Sequence, residues 1–291
     1  LYSEHDVQCL QWVSDRIEQG MQTRHAIEAL RLHQERGEAI APEADIEPAS
    51  VPLSDAEALS YLDQIQQQLS AALLSNDLPR ATHIFREALA PYPPEALIAH
   101  VIQPTFADIG EAWAAGEINV STEHLAAQYL RSRLMMWLHT GPPAYEVPPM
   151  VLACAPGELH EGGLLILGTL LRRRRWPIAY LGQSTPLDDL AQFIRDTNPL
   201  AVVLAAMREE TAEALAAWPD ALPGKLCDVI EEGCPLITFG GRIFVEQPKW
   251  QMIVPGLYLG DDFDAALATL EPRLRHLAGM DRSTNSCSSG D

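Results

Sequence analysis

MVLACAPGELHEGGLLILG, residues 150–168, passes from an apolar, β-prone run through a polar turn into a glycine-led helical pattern. The same change of period recurs downstream. Apolar runs appear at IAYLG (178–182), LAVVLAA (200–206), PLITFGG (235–241) and, more weakly, GLYLG (256–260), with helical segments between them. TPLDDL (185–190) supplies a cap-like helix start. Strands alternating with helices predict a five-stranded parallel sheet covered on both faces, a doubly wound, Rossmann-like α/β domain over 149–278. Ligands in that architecture bind at the carboxyl ends of the strands, and the loop carrying His160 follows the first strand.

Working outward toward the N-terminus, GPPAYEVPP separates this domain from four helical segments at 54–140. SDAE (54–57) has the capping-box pattern, and Leu62, Ile65, Leu69 and Leu73 form an apolar stripe. A second helix runs from Leu78 to Ala90 with Ile84, Phe85, Ala88 and Leu89 inward. A long third helix carries Ile102, Phe106, Ile109 and Trp113 on one stripe. The fourth, from about Ser121 to Leu138, buries Leu130, Leu134 and Trp137. Short loops between such helices predict an antiparallel four-helix bundle. Ahead of it, QERGEAIAPEADIEPASVPL (34–53) is acidic and proline-bearing without periodicity, which makes 38–53 a linker. Residues 1–37 have helical spacing, and 279–291 read as a disordered polar tail.

Composition narrows the function classes. The 291 residues are 47% hydrophobic and 21% charged, ordinary for a globular protein. A formal net charge of −20 argues against the chain as given gripping a nucleic-acid backbone by itself. No apolar run has the length of a bilayer span and no signal peptide opens the sequence. The five cysteines lack CxxC spacing and read as reduced thiols. These features point to a cytoplasmic location away from membranes.

The sharpest chemical signal is Glu158-x-His160-x-x-Gly163. A neutral imidazole is a good ligand for a borderline transition metal such as cobalt, and a carboxylate two residues away can fix its tautomer. Gly162 and Gly163 would let a bulky ligand approach the helix start. The competing reading is a solvated loop histidine beside a helix-start glutamate. A second cluster, Trp113 with Glu123 and His124, lies in WAAGEINVSTEH; its plain alternative is a core tryptophan and a helix-capping pair. Arg172–Arg175 read as cations in the last turn of a helix, not as a phosphate patch. No nucleophile–base pair and no phosphate loop are evident, so no catalytic residues are assigned.

ExHxxG resembles the DxHxxG signature of cobalamin-binding Rossmann domains, with Glu in place of Asp. The resemblance implies that His160 is the lower cobalt ligand, replacing the cofactor's dimethylbenzimidazole. It also implies that Gly240 and Gly241 make room for the nucleotide tail. The serine such domains often carry after the third strand is replaced by Ala205, removing one hydrogen bond to the tail. Trp113 followed, after nine residues, by Glu123 and His124 resembles the W-x9-EH signature of adenosylcobalamin-dependent photoreceptor repressors of the MerR superfamily, the CarH type. In that family the tryptophan packs on the adenosyl group, and Glu and His bond to it. LYSEHDVQCLQWVSDRIEQGM resembles the closing segment of a MerR winged-helix domain. Residues 1–37 would then be its helical remnant, with the DNA-recognition helix upstream of this chain.

Together these resemblances imply a light-sensing transcriptional regulator, not an enzyme. It would bind adenosylcobalamin, assemble as a homo-oligomer (a tetramer in the dark) and contact DNA. The histidine that the best-understood photoreceptors carry after the tryptophan is Ala114 here, so their bis-histidine photoproduct is not expected through that position. The runner-up is a corrinoid carrier for methyl transfer, which shares the bundle-plus-Rossmann layout.

Overall fold

A computed structural model of the chain describes Cys9, Trp12, Val13, Ile27, Leu30, Arg31 and residues 55–89, 91–217 and 235–280. Apart from those first six positions, the MerR-like segment and the linker lie outside the described residues, as does 281–291 of the tail. The chain divides into two compact units, Leu1–Glu57 and Ala58–Asp291. Among the described residues no helix is long and apolar enough to cross a membrane.

Helix α1 (Asp55–Leu74) buries Leu62, Ile65, Leu69 and Leu73, the stripe its spacing predicts. Helix α2 (Leu78–Leu89) opens on Asp77, whose carboxylate accepts the Arg80 amide at 3.0 Å, and buries Ala81, Ile84, Phe85 and Ala88. A short α3 (Pro94–Leu97) runs through a π turn at Ile98–Ile102 into α4 (Gln103–Ala114). Pro104 accounts for the wide turn: its ring would crowd the carbonyl of His100 in α geometry, and it has no N–H to donate. Helix α5 (Val120–His139) is capped by Asn119, whose side chain accepts the Thr122 amide at 3.0 Å. The helix therefore begins just before Ser121, the start its pattern suggests.

The sheet is built from β1 (Met150–Cys154), β2 (Ile178–Gly182), β3 (Ala201–Ala205), β4 (Leu236–Gly240) and β5 (Leu257–Tyr258). Their order is β2-β1-β3-β4-β5 and every pairing is parallel. Strand order reverses between β1 and β3, so a crevice opens beyond their carboxyl ends. Helices α6 (Gly162–Arg173), α7 (Leu187–Thr197), α8 (Glu209–Ala216), α9 (Arg242–Glu246), α10 (Lys249–Ile253) and α11 (Phe263–Leu277) complete the domain. The cap-like reading of Thr185 is corrected: Pro186 occupies the N-cap of α7 without a side-chain bond. Asp188 and Asp189 in its first turn complement the helix dipole instead.

Residues 164–171 of α6 are all buried, because that helix lies between the sheet and the bundle. One hydrophobic cluster accordingly runs from Leu69 and Phe85 through Leu134 and Trp137 to Leu165, Leu171 and Leu270. A second cluster, with Val202, Leu204, Ile237 and Phe239, fills the other face of the sheet. The arginine run works as cross-ties. Arg172 donates to the Pro142 carbonyl, Arg173 pairs with Glu95 at 2.9 Å, and Arg175 lies over the Tyr145 ring.

Candidate functional site

The turn after β1 is held from three sides. Ser184 N donates to the Glu158 carbonyl at 2.9 Å, Gln183 Nε2 to the Leu159 carbonyl at 2.7 Å, and Arg208 Nη2 to the Gly157 carbonyl at 2.6 Å. Within it the Glu158 side chain is fully buried. Its Oε1 accepts the His160 amide at 3.0 Å and faces the ring Nδ1 at 2.7 Å. Its Oε2 accepts the Met207 amide at 2.8 Å and the Thr211 hydroxyl at 2.9 Å. Burial alone would raise the carboxyl's pKa, but the hydrogen bonds from His160, Met207 and Thr211 outweigh it and hold it below its ordinary value. The group is therefore a carboxylate, so the His160 ring nitrogen facing it must be the donor. Nδ1–H is spent on Glu158, and in the neutral ring, which is 63% exposed, Nε2 carries the lone pair.

The carboxylate thus spans the β1–β3 switch point. Oε1 holds the loop after β1, while Oε2 holds the loop after β3 and the start of α8. Met207 and Thr211 were not singled out in the sequence. Nothing in their local pattern announces a partner about fifty residues away.

Next to His160, Glu161 is also buried and forms the N-cap position of α6. It takes Arg131 Nε from α5 on Oε1 and the Tyr180 hydroxyl on Oε2 at 2.7 Å. Burial and the bond to Glu161 push the Tyr180 phenol well above its ordinary range. The bundle, the helix after His160 and strand β2 therefore meet at one carboxylate.

A cavity of about 470 Å³ opens beyond the ends of β3 and β4, lined by Gly163, Ala205, Gly240 and Gly241 together with Gln103 and Phe263. That size falls within the roughly 300–1,000 Å³ of small-molecule sites. Ala205 pairs with Gly240 in the parallel register. A Cβ on Gly240 would meet no protein atom within 4 Å. Gly241 is different. Its φ is +128° and a Cβ would stand 2.1 Å from the Ala206 carbonyl oxygen, so the backbone itself demands glycine there. A Cβ on Gly162 would pack 3.5 Å from the Phe106 ring of α4, an ordinary contact.

The second cluster lies at the bundle. Trp113 is 50% exposed at the end of α4, so it is not the core residue its stripe allowed. Glu123, in the first turn of α5, is hydrogen-bonded to Nδ1 of its neighbour His124, which is exposed. None of Trp113, Glu123, His124, Glu158 and His160 lines the cavity. Among the described residues no three His, Cys, Asp or Glu side chains gather to hold a metal ion. A metal that brought its own macrocycle would need only one protein donor, which His160 could supply, and the glycine-lined cavity has room for an appended tail. The residues present fit such a cofactor.

A family profile described as "B12 binding domain" matches residues 65–136, which cover most of the bundle. The chain is 30% identical over 214 residues to the HTH-type transcriptional repressor CarH of Myxococcus xanthus, covering 73% of this chain and 70% of that protein. It is 27% identical over 199 residues to the repressor CarA of the same organism, covering 67% and 66% respectively. Among solved structures, a monomethylamine corrinoid protein of Methanosarcina barkeri matches 72% of this chain and 98% of its own, with a TM-score of 0.54 at 17% identity. That last likeness is one of fold.

Proposed function

Because this chain belongs to the family of HTH-type transcriptional repressors that includes CarH and CarA, we propose that it is a cobalamin-dependent transcriptional regulator, and that the form it uses to sense light is adenosylcobalamin. The observation that carries the reading is the buried Glu158 carboxylate holding His160 Nδ1 at 2.7 Å, which leaves Nε2 as a donor at the carboxyl ends of the strands.

His160 would hold the cobalt through Nε2, with its tautomer fixed by Glu158. Gly163, Gly240 and Gly241 border the slot for the nucleotide tail. Trp113 covers the adenosyl side, and Glu123 with His124 supplies hydrogen-bonding groups for ribose hydroxyls. Bound adenosylcobalamin supplies a cobalt–carbon bond that light breaks. Without an adenosyl group against it, the half-exposed Trp113 indole would lose its stacking partner, and the bundle end that carries it would repack. That repacking alters a contact between copies of the chain and, through the oligomer, its hold on DNA. Ala114, beside Trp113, has no donor to offer cobalt, so any light-state ligand comes from elsewhere. A methyl carrier would need no cover for an adenosyl group, and the half-exposed Trp113 indole at the end of α4 favours the regulator.

The test is an absorption spectrum of the full chain with adenosylcobalamin, taken in the dark and under green light, followed by sizing of both samples. A retained cobalamin spectrum that changes on illumination together with oligomer size is the expected result. Binding without a change in assembly would overturn the light-sensing part. His160→Ala should lose the histidine-ligated spectrum; an unaltered spectrum would remove His160 from the cobalt.

A further inference from the structure

The cavity beside the His160 loop separates its chemistry by depth. Leu164, Leu167, Val203, Ala205, Leu259 and Ala266 line it and are buried. The polar side chains that line it, Gln103, Arg242, Glu246, Asp261 and Asp262, are all exposed. Several of these are already engaged. Arg242 pairs with Glu246, Asp261 accepts the Tyr258 hydroxyl at 2.6 Å, and Asp262 caps α11 through the Ala265 amide at 2.7 Å. Backbone acceptors near the floor are taken as well. Ala155 N donates to the Ala205 carbonyl at 2.9 Å, Ala206 N to that of Gly240 at 3.1 Å, and Leu259 N to that of Phe239 at 3.0 Å. Among the described residues the floor offers a ring system surface to lie on and no side-chain group to bond its edge.

We infer that this slot selects cobamides by their lower base, accepting benzimidazole and phenolic bases and disfavouring purines. The inference rests on the reading that the chain binds a cobamide through His160. A polar ring edge pressed against Leu164, Val203, Ala205 and Leu259 gives up its water and gains no bond, which costs affinity. An adenine carries an exocyclic amine and ring nitrogens on that edge. A p-cresolyl ring carries a methyl group, and dimethylbenzimidazole two, with one ring nitrogen freed from cobalt against the several polar atoms of adenine. Ala205 is the position that sets this, since it lies across the register from Gly240, where a side chain would meet open space. A hydroxyl at Ala205 would give the floor a donor and an acceptor.

Equilibrium titrations of the full chain in the dark, followed by absorption and by calorimetry, compare four adenosylated corrinoids. These are adeninylcobamide, p-cresolylcobamide, cobalamin and tail-free cobinamide. Adenine and p-cresol both leave the lower face of cobalt largely free in water, so that pair isolates the slot from the cost of detaching the base. The expected result is that adeninylcobamide binds at least about tenfold more weakly than p-cresolylcobamide, about 1.4 kcal/mol. Ala205→Ser should narrow that gap to roughly threefold or less. Equal affinity for the two, or tighter binding of the adenine form, overturns the selection. Cobinamide binding as tightly as all three overturns the tail's use of this cavity while leaving His160 as ligand. Failure of all four to bind removes the cobamide reading itself, and the selectivity with it.

Discussion

Gly240 and Gly241 stand side by side at the end of β4 and are glycine for different reasons. Strand alternation turns Phe239 toward the cluster on one face of the sheet and Gly240 toward the face that carries Ala205 and α6. An added methyl at Gly240 meets no protein atom within 4 Å, whereas at Gly241 it collides with the Ala206 carbonyl at a φ of +128°. Gly240→Ala should therefore fold normally, changing stability by less than about 1 kcal/mol. It should nonetheless weaken cobalamin binding about tenfold or more, because the methyl takes space the tail needs. Gly241→Ala should cost about 3 kcal/mol of stability through strain and collision. Urea unfolding of the two variants, paired with cobalamin titration of Gly240→Ala, checks both. A Gly240→Ala protein that binds like the parent would show that the tail does not pass this residue. The glycine pair was legible in the sequence as one feature; only the backbone conformation divides it into one residue serving the fold and one serving the cavity.

At the scale of elements, the helix after His160 is tied to the bundle by a charge taken out of water. Glu161 has 7% of its side chain exposed, and its partner Arg131, on α5, has 37%. Removing the arginine strands a buried carboxylate with only the Tyr180 hydroxyl to hold it. Arg131→Met should destabilise the protein by about 2 kcal/mol, less than for a wholly buried pair because the guanidinium is partly hydrated. Adding Glu161→Gln should recover a substantial part of that loss, since the charge needing compensation is gone. Chemical denaturation of both single variants and the double variant gives the coupling. Strict additivity of the two single effects would mean that α5 and α6 are not joined through this pair. The helices and strands themselves were readable, because each carries its own local hydrophobic pattern: the stripe Leu62 to Leu73 on α1, the continuous apolar run Ala201–Ala205 on β3. Glu158 and His160 were readable for the same reason, being two residues apart. Arg131, Tyr180, Met207 and Thr211 were not, because each reaches its carboxylate across 19 to 53 residues of chain, and no period in one segment encodes a partner in another.

For the whole molecule, the bundle and the sheet are expected to behave as one cooperative body. The sequence divides at the GPPAYEVPP hinge, and from composition alone the two sides read as separate domains. Their cores are nonetheless continuous: Leu130, Leu134 and Trp137 of the bundle share a cluster with Leu164, Leu167 and Leu171 of α6. Arg172 and Arg175 bind the hinge carbonyls of Pro142 and Pro143 back onto the sheet side. Parting the two would expose the whole inner face of α6, so neither half has a core that closes without the other. Thermal unfolding should therefore give one transition, with helix loss by far-ultraviolet circular dichroism coinciding with the change in tryptophan fluorescence. Trp137 sits in the bundle and Trp176 and Trp250 in the sheet domain, so the fluorescence signal samples both sides. A bound ligand then stabilises the entire body: cobalamin at about a hundred times its dissociation constant should add about 2.7 kcal/mol, raising both signals together. Two separated transitions, with only the later one moved by cobalamin, would show that the hinge is a true domain boundary. In a single body, the proposed repacking at Trp113 would have no freely sliding interface to use. It would be expressed where the surface is already open, at the end of α4 and the start of α5, where Val120 and Leu125 also stand exposed.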